Sequence, residues 1–170
     1  MENFTNETID TKALPRYEAV QLSPIDSKYW QVILISILGF FLLGLAIMVT
    51  LFFLVEEEFE HKPLLFSAYV TVFAIALLLS RISFKKKAYA FRNHDVIFRS
   101  GIIATNTMVI PYNRVQHVAL HEGFIARFFG LAKVEIFTAG GVSSDLEIPG
   151  IAKEQAEDIK QLLMGKIQKQ

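Results

Sequence analysis

The sequence contains no cysteine among its 170 residues. Disulfide bonds, thiolate metal sites and cysteine nucleophiles are therefore excluded, because each of them requires a thiol. Phosphate-binding glycine patterns and the Gly-x-Ser-x-Gly elbow of many hydrolases are also missing. Ser143, Ser144 and Asp145 lie in a glycine-rich stretch that we interpret as a hairpin turn. The sequence therefore predicts neither catalysis nor a cofactor, and a hydrolase or transferase is only a minor alternative.

Histidine is scarce as well, with four in the chain. His117 and His121 are four residues apart in a segment that alternates like a strand, where four residues span about 13 Å. A zinc ion holds its nitrogen ligands at about 2 Å, so these two side chains cannot share one ion. We expect no metal site from them or from His94.

Charge is absent from two long stretches, residues 31–55 and 64–80. As a helix the first would reach about 37 Å, which exceeds a hydrocarbon core of roughly 30 Å. A small chain has little room to bury two helices that are apolar on every side. We therefore predict a transmembrane hairpin with helices at about 30–55 and 64–83, joined by the acidic outer loop 56–62.

Positive charge is unevenly distributed along the chain. Residues 81–170 carry 13 basic and 8 acidic side chains, whereas the loop 56–62 carries 1 and 4. The positive-inside rule then places both termini on the cytoplasmic side of the membrane. The predicted organisation is a cytoplasmic N-terminal segment (1–28), the hairpin (29–84) and a cytoplasmic domain (85–170).

Aromatic and basic residues flank the predicted membrane helices. Tyr29 and Trp30 lie where an aromatic belt anchors a helix at the membrane surface. After the second helix, each basic side chain would gain about 1 kcal/mol from anionic lipid. We treat these residues as candidate lipid contacts, with the alternative that they only set the topology: Arg81, Lys85, Lys86 and Lys87.

After Lys87 the apolar period changes from helical to that of short strands. In the segment after Arg114 the alternation places Val115, His117 and Ala119 on one face and the intervening residues on the other. Residues 123–130 read as a short helical turn that ends at Gly130. About six strands followed by one amphipathic helix predict a small, partly open barrel.

Several motifs in this half are similar to those of one family. They are Gly101-Ile102-Ile103, Ile110-Pro111-Tyr112-Asn113-Arg114-Val115-Gln116-His117-Val118, Arg127-Phe128-Phe129-Gly130-Leu131-Ala132, Thr138-Ala139-Gly140-Gly141 and Glu147-Ile148-Pro149-Gly150. Their order and spacing, with a two-helix hairpin upstream, resemble the bacterial pleckstrin-homology-like family formerly called DUF304 (bPH2), in its short YdbS-type membrane members.

The resemblance covers roughly residues 30–165. It implies a split barrel of short antiparallel strands with a C-terminal capping helix, and it brings no established activity and no agreed ligand. It marks these positions as signature residues: Arg114, Gln116, Arg127, Gly130, Gly140, Gly141, Pro149 and Gly150.

Candidate interaction residues come from the basic, polar and apolar side chains of this domain: Arg114, Gln116, Phe124, Arg127 and Phe128. The apolar cluster of residues 124–129 is expected to complete the core of so small a domain, with exposure as a docking surface as the alternative. Arg92, Arg99, Arg114 and Arg127 are candidates for a second basic surface. Alternatively, Arg114 pairs internally with Glu122, Glu135 or Glu147.

The leading functional hypothesis, given the resemblance, is a non-enzymatic, multi-pass protein of the bacterial plasma (inner) membrane that assembles with another membrane protein or with a second copy at the cytoplasmic face. The alternative is binding of anionic lipid headgroups through Arg114, Arg127 and the basic residues next to the membrane. Nucleic acid is not an expected partner, because the charge excess is small and no binding motif occurs.

Overall fold

The computed structural model describes residues 8, 10, 17–54, 61–139 and 144–167. Most of the predicted acidic loop (56–60) and the signature glycines Gly140 and Gly141 lie outside these residues.

Two long apolar helices form a hairpin in the first half of the chain. Helix α1 spans Tyr29–Leu54 and helix α2 spans Lys62–Lys86, close to the predicted limits. Their most apolar windows have mean hydropathies of 3.0 and 2.1, and only 6% and 0% of those windows are buried. Both helices are long and apolar enough to cross a membrane. The core helix of a soluble protein would be mostly buried, and these two are not.

Aromatic side chains hold the two helices together. The Tyr69 hydroxyl donates a hydrogen bond to the Phe41 carbonyl oxygen at 2.6 Å. The Phe41 ring stacks on Tyr69 and Phe73, with centroid separations of 4.9 and 4.0 Å. Gly44 leaves the space that the Tyr69 ring occupies, since a Cβ there would lie 2.5 Å from its hydroxyl.

The described residues outside the hairpin contain two antiparallel sheets. The first has the order β1-β2-β3-β4 and the second β5-β6-β7. The strands are β1 Ser23–Pro24, β2 Ala88–Phe91, β3 Asp95–Gly101, β4 Thr105–Pro111, β5 Val115–His121, β6 Leu131–Thr138 and β7 Leu146–Ala152. A 3-10 turn, Tyr112–Arg114, links the sheets. The short helix α3 (Phe124–Phe128) precedes β6, and α4 (Lys153–Ile167) follows β7.

One apolar core joins both sheets to α4. Val96, Val134, Ile136, Ile148 and Ile151 have no exposed surface. Helix α4 contributes Ala156, Ile159 and Leu163, which recur at helical spacing on one face. Two sheets capped by a C-terminal helix confirm the predicted pleckstrin-homology-like fold.

A bulge in β5 changes the register predicted from simple alternation. Between Val115 and His117 the pairing of β5 with β6 gains one residue, Gln116. Val115 and Val118 therefore both point into the core, and His117 is exposed. The predicted face of Val115, His117 and Ala119 is wrong, because a bulge reverses the alternation beyond it.

The N-terminal segment supplies part of the domain. Strand β1 pairs with β2 through Ser23–Tyr89 and Pro24–Ala88, and Ile25 is 4% exposed in the core. Residues 23–25 therefore complete the first sheet before the chain enters α1.

Candidate functional site at the helix–domain junction

The start of α1 is fixed to strand β7. The Asp26 backbone N–H donates to the Gly150 carbonyl oxygen at 2.8 Å. Gly150 has φ +67°, and a Cβ there would lie 2.6 Å from Cγ of Tyr29. Pro149 and Gly150 form the second bulge, opposite Lys133 of β6. The Pro-Gly signature thus creates the site on which the first residue of α1 packs.

The basic residues at the end of α2 differ in their surroundings. The Arg81 guanidinium lies 4.6 Å from the Trp30 ring centre and 5.6 Å from that of Phe84. The Lys86 ammonium donates to the Ile102 carbonyl oxygen at 2.5 Å. Lys85 is exposed. Of the four predicted lipid contacts, Arg81 is thus stacked on aromatic rings and Lys86 is tied to the β3–β4 turn.

Lys87 is half-buried between α2 and β2. Burial lowers the pKa of its ammonium group, because a dry environment disfavours the charge. Its Nζ lies 5.9 Å from the centre of the Tyr29 ring. Among the residues that the structure describes, no carboxylate forms an ion pair with it.

A groove of about 630 Å³ opens beside this lysine, between α1, α3 and the ends of the sheets. Its lining includes apolar side chains, Val32 of α1 and Phe124 of α3, and the charged Lys133 and Glu147. The Lys133 ammonium contacts Glu147 at 2.9 Å and, outside the lining, Glu135 at 2.6 Å. The groove therefore combines apolar and ionic walls.

Hydrogen bonds keep the Glu147 side chain ionised. Lys133 and then Ser144 donate to its carboxylate, and both lower its pKa. The positive charge of Lys133 is thus neutralised by its two carboxylates, whereas no carboxylate among the described residues pairs with Lys87.

Helix α3 lies beside α1 and presents two aromatic rings outward. Phe124 and Phe128 are 81% and 76% exposed and pack edge to face at 5.3 Å. The expectation that the whole cluster of residues 124–129 completes the core is therefore wrong for these two. Their neighbour Ile125 is partly buried and lines the groove. The predicted end of this helix at Gly130 is confirmed by its φ of +66°.

The five candidate interaction residues do not form one surface. Arg114 and Gln116 lie at the start of β5, and Phe124, Arg127 and Phe128 follow its end, about 20 Å away along the strand. Arg114 and Arg127 are both exposed.

The alternative of an internal ion pair for Arg114 is wrong. Glu122 pairs with Lys153 at 2.8 Å, and the other two proposed partners pair with Lys133. The predicted second basic surface also loses one member, because the Arg92 guanidinium pairs with Asp95.

The polar side chains before β7 form hydrogen bonds within the domain. Ser144 donates to Glu147 at 2.9 Å, and Asp145 accepts hydrogen bonds from the Thr138 hydroxyl and backbone N–H. His117 stacks on Phe137. Within the described ranges, no three histidine, aspartate or glutamate side chains converge on a metal position.

Sequence reasoning missed the turn between β3 and β4 as part of this site. Gly101 has φ +138°, and a Cβ there would lie 1.9 Å from the Ala104 carbonyl oxygen, so only glycine fits. The turn carries Ile103, which is 95% exposed, while Ile102 lies in a crevice with α1 and α2. The Gly-Ile-Ile motif was visible, but its place beside α2 depends on the tertiary fold.

Comparison with known proteins agrees with this architecture. The Bacterial PH domain family model matches residues 32–167. Transmembrane protein YdbS of Bacillus subtilis (strain 168) is 30% identical over 82% of this chain and 87% of its own length. Transmembrane protein YdbT of the same organism is 26% identical over 71% of this chain, which is 25% of YdbT. No solved structure matches.

These relatives are membrane proteins, and the family is not a known enzyme family. The two sheets, the capping helix and the extent of the match lead to one conclusion: the chain belongs to the Bacterial PH domain family.

Proposed function

We propose that this protein is a non-enzymatic assembly module. Its hairpin crosses the bacterial plasma membrane twice with both termini in the cytoplasm, and its domain pairs with a second module of the same kind. The observation that carries the proposal is the open edge of β4 on a domain that is rigidly joined to the hairpin.

The rigid joint supports this role because it fixes the orientation of the domain. A single residue, Lys87, separates α2 from β2. Tyr29 and Phe84, one from each helix, pack against the core of the domain. A domain held in this way presents the same surfaces to every neighbour in the membrane plane, so weak contacts suffice at high effective concentration.

Strand β4 offers the edge. In the described part of the chain it pairs with β3 alone, so its other side has unpaired backbone donors and acceptors. It begins beside α2, where Lys86 contacts the preceding turn, and extends about 20 Å away from the hairpin. A strand of a neighbouring module, tethered to the same membrane, can therefore extend the sheet.

The relatives support a partner of the same family. The stretch of YdbT that is similar to this chain makes up 25% of YdbT, and the same organism also has the short YdbS. A short and a long protein that share this module can pair through it.

Photo-crosslinking in intact membranes tests the proposal. A photoreactive amino acid at Asn106, exposed on β4, should capture a second copy or a larger protein that carries the module. The same label at Gln161, exposed on α4, should capture much less. Equal capture from both positions contradicts pairing through β4.

Charge on the edge provides the second arm of the test. Val109→Lys places a cation on exposed β4 and should abolish capture from Asn106, because charged edges resist strand addition. Gln161→Lys adds the same charge on α4 and should leave capture unchanged. Unchanged capture in Val109→Lys would refute the proposal.

Surface attraction to anionic lipid is a second candidate, favoured by exposed Lys85 next to the hairpin. Arg114 does not contribute to this lipid attraction in our proposal, because it lies at the start of β5, about 20 Å along the strand from α3. Salt-sensitive association of this kind would fall with ionic strength.

A further inference from the structure

We infer that the groove between α1, α3 and the sheets binds one anionic phospholipid, with its phosphate beside Lys87 and an acyl chain along α1. This site is separate from the β4 edge and does not depend on pairing. It does rest on α1 and α2 lying in the membrane.

The position of the groove gives access to the bilayer. Its walls include Ser36, seven residues and about 10 Å along α1 from Tyr29. If α1 spans the membrane, this end of the groove is level with the lipid glycerol and upper acyl chains. Phe124, which is largely exposed on α3 beside α1, also lines the groove.

The lining of the groove combines apolar and charged groups. Val32, Phe124 and Ile125 are apolar members. Lys87, Lys133 and Glu147 are charged members. A volume of about 630 Å³ is within the range of ligand sites, about 300–1,000 Å³. A headgroup and the start of one chain fit such a lining, with the rest of the lipid in the bilayer.

The charge balance selects an anion. Lys133 is paired with two carboxylates, one of which, Glu147, also lines the groove. Among the described residues no carboxylate forms an ion pair with Lys87, and its Nζ lies 5.9 Å from the centre of the Tyr29 ring. A half-buried ammonium without a counter-ion is stabilised by a phosphate that brings its charge into the groove. His121 and Ser100, also in the lining, can donate hydrogen bonds to phosphate oxygens.

The chain contains a matched control for this lysine. Lys85 is two residues away, has the same charge and is exposed, and it does not line the groove. A lipid attracted only to the surface responds equally to loss of either charge, whereas a lipid in the groove responds to Lys87.

Native mass spectrometry of the full-length protein in detergent tests the inference, with phosphatidylglycerol and phosphatidylcholine as probes. We expect one bound phosphatidylglycerol, retained in preference to phosphatidylcholine. Lys87→Gln should weaken retention about tenfold, the scale of one hydrogen bond to a charged group. Lys85→Gln should change it less than about twofold, as expected for an exposed charge.

A second pair of variants tests the apolar part of the lining without changing charge. Ser36→Phe fills the groove and should reduce lipid retention, whereas Ile35→Phe, one residue away on an exposed position, should not. Thermal unfolding of each variant verifies that it remains folded.

Three outcomes would overturn the inference. One is equal retention of the two lipids, and another is equal loss in Lys87→Gln and Lys85→Gln. The third is displacement of phosphatidylglycerol by excess inorganic phosphate, which would make the groove a site for a soluble anion. Loss of crosslinking at β4 with retained lipid binding would refute only the assembly proposal.

Discussion

Gly150 is the residue at which the membrane helix and the domain meet. Its positive φ and the packing of Tyr29 against its α-carbon are separate demands: the first strains any residue with a side chain, and the second leaves no room for a Cβ. The sequence resemblance marked Pro149 and Gly150 as signature residues without a reason. The reason is a contact with a residue 121 positions earlier, which no local pattern reveals.

Replacement of three glycines should separate these demands. Gly150→Ala should lower the free energy of unfolding by about 2–5 kcal/mol, because backbone strain adds to a clash with Tyr29. Gly130→Ala has φ +66° but open space around a new Cβ, so strain alone should cost about 1–2 kcal/mol. Gly165→Ala, in helix α4 with open space, should gain up to about 1 kcal/mol. Denaturant unfolding in detergent would measure the order, and equal effects at Gly150 and Gly130 would argue against the contact with Tyr29.

Tyr112 is a buried phenol whose titration should be visible in stability. Its hydroxyl donates to the Arg92 carbonyl oxygen at 2.6 Å, and burial raises its pKa to about 12. The unfolded-state pKa of tyrosine is about 10, so folding favours the protonated hydroxyl. This contribution to stability is fully present below pH 10 and is lost as the pH rises towards 12.

Tyr112→Phe should therefore lower stability at pH 7 by about 1 kcal/mol, the value of one net hydrogen bond. Its stability should also fall less steeply than that of the wild type between pH 10 and 12. Parallel curves for the two proteins over this range would contradict the assignment to Tyr112. Unfolding midpoints as a function of pH provide the measurement.

At the scale of elements, long apolar runs were predictable and short pairings were not. Helices α1 and α2 agree with their predicted limits within a few residues, because uncharged runs of this length are unambiguous. The helical turn that ends at Gly130 was also predicted from the sequence. Strand β1 has only two residues, and the bulge at Gln116 is one inserted residue, so neither has a period to detect. The exposure of Phe124 and Phe128 was predicted wrongly, since apolar character does not distinguish a core from a surface beside a membrane helix.

Strand β1 and the residue after it should be essential to the domain. Ile25→Ala should cost about 2–5 kcal/mol, because it removes a side chain from a closed core. Ile103→Ala, at a position that is 95% exposed, should change stability by less than about 0.5 kcal/mol. Thermal unfolding of the two full-length variants compares the same substitution in both environments. Similar losses from both would show that residues 23–25 do not contribute to the core as described.

For the whole molecule, the hairpin is an insertion between two paired strands. Residues 23–24 precede α1 and residues 88–89 follow α2, yet they are direct partners in the first sheet. The chain enters and leaves the hairpin at adjacent points of one domain. Apolar runs in the sequence indicate a membrane helix pair followed by a domain, whereas the folded protein is a domain interrupted by a helix pair. Only the tertiary pairing distinguishes these two descriptions.

Excision of the hairpin should therefore yield a folded domain. A chain with residues 17–29 joined to 87–167 by a short Gly/Ser linker retains β1, Ile25 and the contact between Tyr29 and Gly150. We expect it to unfold cooperatively and to give dispersed NMR spectra. The fragment 88–167 lacks β1 and exposes the core next to β2, so it should be less stable by at least the 2–5 kcal/mol expected for loss of a core isoleucine. Circular dichroism melts of both chains decide between the two descriptions. If 88–167 is as stable as the joined chain, the N-terminal segment is only a peripheral strand and the domain begins after α2.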